Sequence, residues 1–232
     1  MDFQPFDTRG YPTLPVAEGY GEWAETYEDT VFDLLDIRLL ERLTAVDWPA
    51  SRRAADLACG TGRTGAWLKA AGVGRIDGID LTPEMLEKAR AKGVHDRLVL
   101  GDLAATGFET GAYDLVTACL VDEHLADLRP LYREAHRLLA PGGRFVLVGY
   151  HPHFLMLGIV THFDRADGDP VAIRSHVHLT GDHVAAAHAA GFRLLEMVEN
   201  VVDDDWRDVK PKWHAKYRHH PASFALVWVA EG

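Results

Sequence analysis

The ten residues 56–65, D-L-A-C-G-T-G-R-T-G, constrain the fold of this chain more than any other segment. They join an apolar run, residues 54–59, to a helix-like stretch, residues 64–71. A strand that turns sharply through glycines into a helix presents bare backbone and the positive end of the helix to a ligand. Gly60 and Gly62 begin the G-x-G-x-x-G spacing of nucleotide-binding turns, which is a weak indication when it stands alone. The segment therefore predicts a strand–turn–helix unit with a ligand site at the turn.

Strands and helices alternate through the middle of the chain. Short apolar runs predict strands at residues 54–59, 75–80, 97–102, 113–121 and 144–150. Helical spacing of apolar residues predicts helices at residues 64–71, 82–92 and 128–139. Thr82 is placed to cap the second helix, and Pro141-Gly142-Gly143 ends the third. Such alternation predicts a parallel sheet that helices cover on both faces.

The flanking segments predict a single domain over residues 1–232, with additions at two places. Residues 1–18 read as an extended arm and residues 19–46 have a helical pattern, so we expect residues 1–50 to form an N-terminal helical cap. Residues 151–179 contain five histidines and no regular period, which predicts a lid or substrate-binding insertion. The pattern is completed by a helix at residues 180–191 and strands at residues 192–202 and 223–230.

The composition is ordinary for a folded protein, with 47% hydrophobic and 25% charged residues. A formal net charge of −11 disfavours a broad nucleic-acid surface, because phosphate binding depends on Lys and Arg. Cys59 and Cys119 lie in strand-like runs and predict buried, reduced thiols. The N-terminus lacks the pattern of a signal peptide, and the apolar run 154–160 is too short to span a bilayer. We therefore expect a cytoplasmic protein, monomer or homodimer, that binds neither nucleic acid nor a membrane.

Five motifs follow one another along residues 53–150. They are Asp56-x-x-Cys59-Gly60-Thr61-Gly62, Gly78-Ile79-Asp80-Leu81-Thr82-Pro83-Glu84-Met85-Leu86, Gly101-Asp102-Leu103, Tyr113-Asp114-Leu115-Val116 and Leu138-Leu139-Ala140-Pro141-Gly142-Gly143. In order and spacing the chain resembles the class I S-adenosylmethionine-dependent methyltransferases, and the resemblance extends more loosely over residues 180–230. It implies an α/β fold with a Rossmann-like doubly wound sheet of seven strands, mostly parallel with an antiparallel last strand. N-terminal helices and an insertion after the fifth strand would complete that fold.

The resemblance implies S-adenosylmethionine as the cofactor. Asp56 would bind the ammonium of its methionyl end, Asp80 both ribose hydroxyls, and Asp102 the adenine amino group. The other residues implied to contact the cofactor are Tyr20, Tyr27, Ala58, Cys59, Gly60, Gly62, Leu81, Met85, Leu103 and Leu120. Helix capping by Asp56 and Asp80, a turn at Asp102, and core packing of the apolar and aromatic residues are the alternatives.

Three histidines follow the strands whose ends would face the methyl acceptor. His124 follows the fourth strand, at a position that faces the methyl-transfer site in the resembled fold, and His151 and His153 follow the fifth. An acceptor that must lose a proton needs a general base. We therefore predict that the catalytic base is one of these three histidines. No carboxylate–histidine spacing of a known metal site occurs, so no metal is expected.

The predicted function is methyl transfer from S-adenosylmethionine to an oxygen, nitrogen or carbon of a small molecule, with aromatic or natural-product compounds as expected acceptors. A tRNA- or protein-directed methyltransferase is one alternative, although the acidic charge disfavours tRNA. A nicotinamide-dependent oxidoreductase is another, favoured by the interval from Gly60 to Asp80 and disfavoured by Asp56, Asp102 and the turn at residues 141–143. A cofactor-binding scaffold, or an enzyme that uses the cofactor for other chemistry, is the third.

Overall fold

The main sheet of this protein has seven strands, most of them parallel. A computed structural model describes residues 1–231. The strands are β1 Thr13–Leu14, β2 Arg53–Leu57, β3 Arg75–Asp80, β4 Arg97–Leu100, β5 Tyr113–Cys119, β6 Leu139–Tyr150, β7 His162–Asp164, β8 Pro170–Ile173, β9 Phe192–Val201 and β10 Pro221–Ala230. The helices are α1 Val16–Trp23, α2 Tyr27–Thr30, α3 Ile37–Arg42, α4 Arg63–Ala70, α5 Pro83–Lys92, α6 Arg129–Leu138, α7 Pro152–Met156, α8 Thr180–Ala190, α9 Trp206–Val209 and α10 Pro211–Tyr217. Short 3-10 helices lie at Gln4–Phe6 and Asp122–His124.

The strand order of the main sheet is β4-β3-β2-β5-β6-β10-β9. The strands from β2 to β6 run parallel, and β10 pairs antiparallel with both β6 and β9. The predicted Rossmann-like doubly wound sheet with an antiparallel last strand is therefore confirmed. The chain moves outward from β2 through β3 and β4 and then returns to the other side of β2 at β5. In open α/β sheets, ligands bind at the carboxyl ends of the strands where the order reverses in this way.

Apolar side chains cover both faces of the sheet. On one face, Tyr132 of α6 packs with Phe145 of β6 in a buried cluster. On the other face, Leu40 of α3 and Leu68 of α4 belong to a second buried cluster. Because helices cover both sides, the central strands β2 and β5 are buried over most of their length and carry mainly apolar residues, which is why short apolar runs in the sequence predicted them.

The N-terminal region differs from the single helical segment predicted for residues 19–46. It forms three short helices, with extended backbone at Val31 and Leu43 where the second and third end. Asp36 starts the third helix, because its carboxylate accepts a hydrogen bond from Ile37 N at 2.8 Å. A local cap of this kind competes with continuation of a helix, and apolar spacing alone does not reveal it.

The arm predicted at residues 1–18 and the insertion predicted at residues 151–179 are joined by pairing of strands. β1 pairs in parallel with β8, which pairs antiparallel with β7, giving a small three-stranded sheet. The insertion also holds α7, so both segments contain more regular structure than the sequence predicted. None of the helices within residues 1–231 is both long and apolar enough to cross a bilayer.

The turn predicted at residues 141–143 lies inside β6, which begins at Leu139 and not at residue 144. Gly142 has a φ of +79°, and a Cβ on Gly143 would lie 2.9 Å from the carbonyl oxygen of Ala140. The pairing of β5 with β6 shifts register at this point. These residues therefore form an irregularity within a strand, a use of glycine that a turn prediction does not distinguish.

His95 fills the space between α4 and β3, a role that nothing in the sequence indicated. Its side chain is fully buried, with Nε2 3.2 Å from Asp56 Oδ2. A Cβ on Gly65 would lie 2.5 Å from the ring, and a Cβ on Gly78 would lie 2.8 Å from it. Both glycines therefore leave room for the imidazole, which is why α4 tolerates a residue of low helix propensity.

We expect Gly65→Ala to destabilise the protein by about 1–3 kcal/mol, because the new methyl group overlaps the His95 ring. Gly181→Ala is the matched control, since Gly181 also lies in a helix and its added Cβ would meet no atom within 4 Å. That variant should gain up to about 1 kcal/mol from helix propensity. Urea denaturation measures both changes, and equal stability of the two variants would contradict the steric role of His95.

Candidate functional site

A cavity opens at the carboxyl ends of β2, β3, β4 and β5, where the strand order reverses. We call it the switch-point cavity. Ten residues that the sequence predicted to contact the cofactor line it: Tyr20, Tyr27, Ala58, Gly60, Asp80, Leu81, Met85, Asp102, Leu103 and Leu120. Of the three predicted catalytic histidines, His124 lines it. The predicted ligand site at the glycine turn thus coincides with a cavity where this fold type places ligands.

The backbone at two of these strand ends lies in the left-handed region. Ala58, after β2, has a φ of +54°, and Leu120, after β5, has a φ of +53°. Such backbone is uncommon for residues that carry a Cβ, and it occurs often at functional sites. Gly60 has a φ of +53°, and a Cβ there would meet no atom within 4 Å. The turn therefore presents bare backbone with free space beside it.

Asp80 ties the glycine turn to the next strand end. Its Oδ2 accepts a hydrogen bond from Gly60 N at 2.8 Å, and its Oδ1 accepts one from Thr82 N at 2.9 Å. Burial raises the pKa of this carboxyl, while the two amide donors favour its charged form. Each carboxylate oxygen can accept a further hydrogen bond. The side chain therefore suits a ligand that offers two neighbouring hydroxyl groups.

Asp56, Cys59 and Gly62 were also predicted to contact the cofactor, but they do not line the switch-point cavity. The Asp56 carboxylate is buried beneath it. Its Oδ1 accepts a hydrogen bond from Thr117 Oγ1 at 2.9 Å, and its Oδ2 lies 3.2 Å from His95 Nε2. The structure therefore gives this carboxylate interior partners, and its contact with the cofactor stays a prediction.

Tyr20 and His124 form a hydrogen-bonded pair at the wall of the cavity. His124 Nδ1 lies 2.8 Å from the carbonyl oxygen of Arg174, so this nitrogen carries the proton and donates it. Nε2 then accepts a hydrogen bond from the Tyr20 hydroxyl at 2.8 Å. Burial lowers the pKa of His124 to about 4 and raises that of Tyr20 well above its usual value. Both side chains are therefore neutral near pH 7.

Glu123 is a buried acid beside this pair that sequence reasoning missed. Its Oε1 accepts a hydrogen bond from Thr161 Oγ1 at 3.1 Å, and its Oε2 has no partner within residues 1–231. Burial, and then the charge of Asp122, raise the pKa of this carboxyl well above its usual value. The place of Glu123 beside His124 in Asp122-Glu123-His124 was the one signal that could have indicated it.

His151 and His153 lie away from the switch-point cavity. His151 Nε2 is 2.9 Å from Glu199 Oε1, and His153 Nε2 is 2.9 Å from His220 Nδ1. The structure therefore brings one of the three predicted histidines, His124, to the cavity and leaves these two outside it. Over the described part of the chain, no three His, Cys, Asp or Glu side chains are grouped as a metal site requires.

Six lining residues were not assigned from the sequence: Val16, Thr82, Gly101, Cys119, Val121 and Leu125. Thr82 and Gly101 belong to motifs that the sequence analysis singled out, so their positions could have indicated them. Val16 comes from the N-terminal arm, and nothing local to it signals a contact with the ends of distant strands. Cys119 is a free, half-buried thiol, and Cys59 is free and buried.

Comparisons with known proteins find that this chain is similar to methyltransferases. A family model described as a methyltransferase domain matches residues 55–147. The demethylmenaquinone methyltransferase of Thermus thermophilus is 38% identical over 108 residues, which cover 44% of this chain and 49% of that protein. An uncharacterized methyltransferase of Emericella nidulans is 27% identical over 222 residues, which cover 78% of this chain and 76% of that protein. The chain thus spans about half the length of the Thermus relative.

A solved structure matches over nearly the whole fold. The crystal structure of an S-adenosylmethionine-dependent methyltransferase from Mesorhizobium loti has a TM-score of 0.66 with this chain at 22% identity. The match covers 87% of this chain and 99% of that one. At this level of identity, the likeness concerns the fold.

Replacing His124 with Gln should make the free energy of unfolding less dependent on pH between pH 7 and pH 5. The folded pKa of about 4 lies below the usual value of about 6.5, so the unfolded chain binds this proton more tightly. The free energy of unfolding should therefore fall as the pH drops below about 6.5, and the His124 contribution should be constant above that pH. Between pH 7 and pH 5, wild type should lose about 1–2 kcal/mol more than the variant.

Urea denaturation at pH 7, 6 and 5 measures this difference. His188→Gln is the control, because His188 is an exposed residue of α8 and its replacement should leave the pH dependence as in wild type. The same loss of stability in His124→Gln and in wild type would show that His124 is not held neutral by burial.

Proposed function

Because the chain belongs to the class I S-adenosylmethionine-dependent methyltransferases, we propose that it transfers a methyl group from this cofactor to a small-molecule acceptor. The observation that carries the proposal is the switch-point cavity, where the Asp80 carboxylate accepts amide hydrogen bonds from both Gly60 and Thr82. The Thermus relative, a demethylmenaquinone methyltransferase by name, supports a small-molecule acceptor.

The polar and apolar residues that line the cavity suit the chemical groups of S-adenosylmethionine. Asp80 would accept hydrogen bonds from the two ribose hydroxyls, and Asp102 would accept one from the adenine amino group. Leu81 lines the cavity and is 53% exposed, so it offers an apolar surface that a flat base would cover. The space beside Gly60 leaves room for the methionyl part.

The charge of the cavity separates this proposal from the nicotinamide-dependent oxidoreductase. Asp80 and Asp102 are the charged side chains that line it, and no Lys or Arg is among the lining residues of the described chain. A pyrophosphate carries negative charge and needs positive partners or helix-end amides. A sulfonium and an ammonium are cations, so two carboxylates favour them.

The Tyr20–His124 pair is placed to move a proton. When bound, the cofactor supplies a methyl group activated by a positive sulfur. An acceptor hydroxyl or amine that loses its proton can pass it to the Tyr20 oxygen while the Tyr20 proton passes to His124 Nε2. His124 is neutral near pH 7, so its Nε2 lone pair is available for that proton, and the Arg174 carbonyl oxygen keeps the ring oriented. Burial, which lowers the pKa of His124 to about 4, opposes the charged form, so the proton is held only while the acceptor attacks the methyl group. We therefore propose His124 as the base, acting through Tyr20.

Asp80→Asn should weaken the binding of S-adenosylhomocysteine by about tenfold to a hundredfold, because a charged acceptor of two ligand hydrogen bonds is lost. Asp127→Asn is the control, since Asp127 is an exposed carboxylate paired with Arg129 outside the cavity. Calorimetric titration measures both variants and wild type, with NAD as the competing ligand. Unchanged affinity in Asp80→Asn, or tighter binding of NAD by wild type, would contradict the cofactor assignment.

Incubating wild type with a cell extract and methyl-labelled S-adenosylmethionine should place the label in the small-molecule fraction. The reason is that no Lys or Arg of the described chain lines the cavity, so it lacks the positive charge that a nucleic acid needs. Asp80→Asn should incorporate far less label under the same conditions, which controls for background transfer. Label found in the protein or RNA fraction would support the macromolecule-directed alternative instead.

A further inference from the structure

A second cleft lies on the far side of one wall of the switch-point cavity. Its lining includes Trp23, Phe32, Tyr150, Phe163, Lys210 and Trp213. The Trp23 ring lines the second cleft and also packs against two tyrosines, since its centroid lies 4.9 Å from that of Tyr27 and 5.8 Å from that of Tyr20. Both tyrosines line the switch-point cavity. One layer of aromatic side chains therefore separates the second cleft from the proposed cofactor site.

Five of the side chains that line the second cleft carry a Phe, Tyr or Trp ring, and aliphatic side chains such as Ile159 and Val160 lie between them. Trp23 stacks on Phe163, with centroids 5.6 Å apart and ring planes inclined by 13°. Phe32 and Trp213 lie on another side, where each ring is close to the Lys210 ammonium. Flat apolar walls favour a flat ring as the ligand, because such a ring buries its faces against them.

Lys210 is a half-buried cation that makes no salt bridge in the described part of the chain. Its Nζ lies 4.6 Å from the Phe32 centroid and 5.9 Å from the Trp213 centroid. Within residues 1–231 its ammonium forms no salt bridge within 4 Å. Asp164, an exposed carboxylate of the same cleft, is the charge that favours the protonated form of Lys210 from a greater distance. Burial lowers the pKa of Lys210. A cation held away from water in this way is stabilised by an anion.

Tyr150 adds a second free donor. Over the described chain its hydroxyl makes no hydrogen bond, although it lines the cleft. The neighbouring polar groups are already engaged: Thr161 donates to Glu123 at 3.1 Å, and His162 Nδ1 lies 2.8 Å from the Val160 carbonyl oxygen. The free polar groups of the cleft are the Lys210 ammonium, the Tyr150 hydroxyl and the exposed Asp164 carboxylate. Two of the three are donors, and both are more buried than Asp164, which suits a ligand that carries acceptors toward them.

We propose that the second cleft is the methyl-acceptor site and that it takes an aromatic carboxylic acid. The ring packs among Trp23, Phe32, Phe163 and Trp213, and the carboxylate pairs with Lys210 and accepts a hydrogen bond from Tyr150. The acceptor role rests on the proposed function, whereas the preference for an anion depends on the cleft alone. We call the rings of Trp23, Tyr20 and Tyr27, which separate the two cavities, the Trp23 layer. Methyl transfer then requires this layer to open toward the switch-point cavity.

The test compares 2-naphthoate with 2-naphthamide, which has the same ring and no charge. By calorimetric titration, wild type should bind 2-naphthoate at least about tenfold more tightly, because the amide leaves Lys210 unpaired. Lys210→Gln should abolish this preference, and Tyr150→Phe should reduce it. Lys216→Gln should keep it, since Lys216 lies on α10, the helix that begins directly after Lys210, over the Tyr217 ring and outside the cleft.

Folding of the variants is monitored by their affinity for S-adenosylhomocysteine, because neither Lys210 nor Tyr150 lines the switch-point cavity. Equal affinity of wild type for the two probes would overturn the proposal, as would a preference that survives Lys210→Gln in a protein that still binds S-adenosylhomocysteine.

The acceptor role has its own readout. In the labelled-extract assay, 2-naphthoate should lower methyl incorporation by wild type, and 2-naphthamide at the same concentration should not. Undiminished incorporation at saturating 2-naphthoate would overturn the acceptor role while leaving the proposed function intact. Failure of wild type to bind S-adenosylhomocysteine would overturn the proposed function itself, and the anion preference of the cleft would be measured independently of it.

Discussion

The hydrogen bonds from Gly60 N and Thr82 N to the Asp80 carboxylate join the loop after β2 to the loop after β3. These loops end neighbouring parallel strands, so their separation is set by the spacing of the strands, and the carboxylate bridges it. Each Asp80 carboxylate oxygen accepts one hydrogen bond from a backbone amide. Because each oxygen has a second lone pair, it can accept another hydrogen bond from a ligand. The same interaction therefore fixes the shape of the switch-point cavity and supplies its central polar group.

A second carboxylate supports the turn from inside the protein. Asp56 links Thr117 of β5 to His95, and the His95 ring lies against the positions where Gly62 and Gly65 lack a Cβ. The glycines of the G-x-G-x-x-G turn therefore serve two purposes. Gly60 leaves space toward the ligand, while Gly65 leaves space for a buried side chain. A match to the glycine spacing alone does not tell these purposes apart.

Features that local sequence patterns encode could be predicted, whereas contacts between distant residues could not. The sheet followed from short apolar runs separated by helical patterns, since both signals are local and repeat with the period of their element. The strand ends that line the cavity followed from the motifs, because a parallel sheet brings carboxyl ends to one edge. The contacts of Asp56 with His95 and of Tyr20 with His124 span 39 and 104 positions, and no local pattern encodes such pairs. The outlying positions of His151 and His153 were missed for the same reason.

Helix α1 carries side chains that line both cavities, Tyr20 in the switch-point cavity and Trp23 in the second cleft. Helix α1 lies so close to β8 that a Cβ on Gly19 would be 2.8 Å from Ile173, and β1 pairs with the same strand. This close approach sets the rotation of α1, so that Tyr20 reaches His124 while Trp23 faces the second cleft. A shift of α1 against β8 would therefore move Trp23 and Tyr20 together, and the Tyr20–His124 hydrogen bond would have to re-form before the proposed proton transfer. Access of an acceptor and the position of the proposed proton carrier are, on this geometry, coupled through one helix.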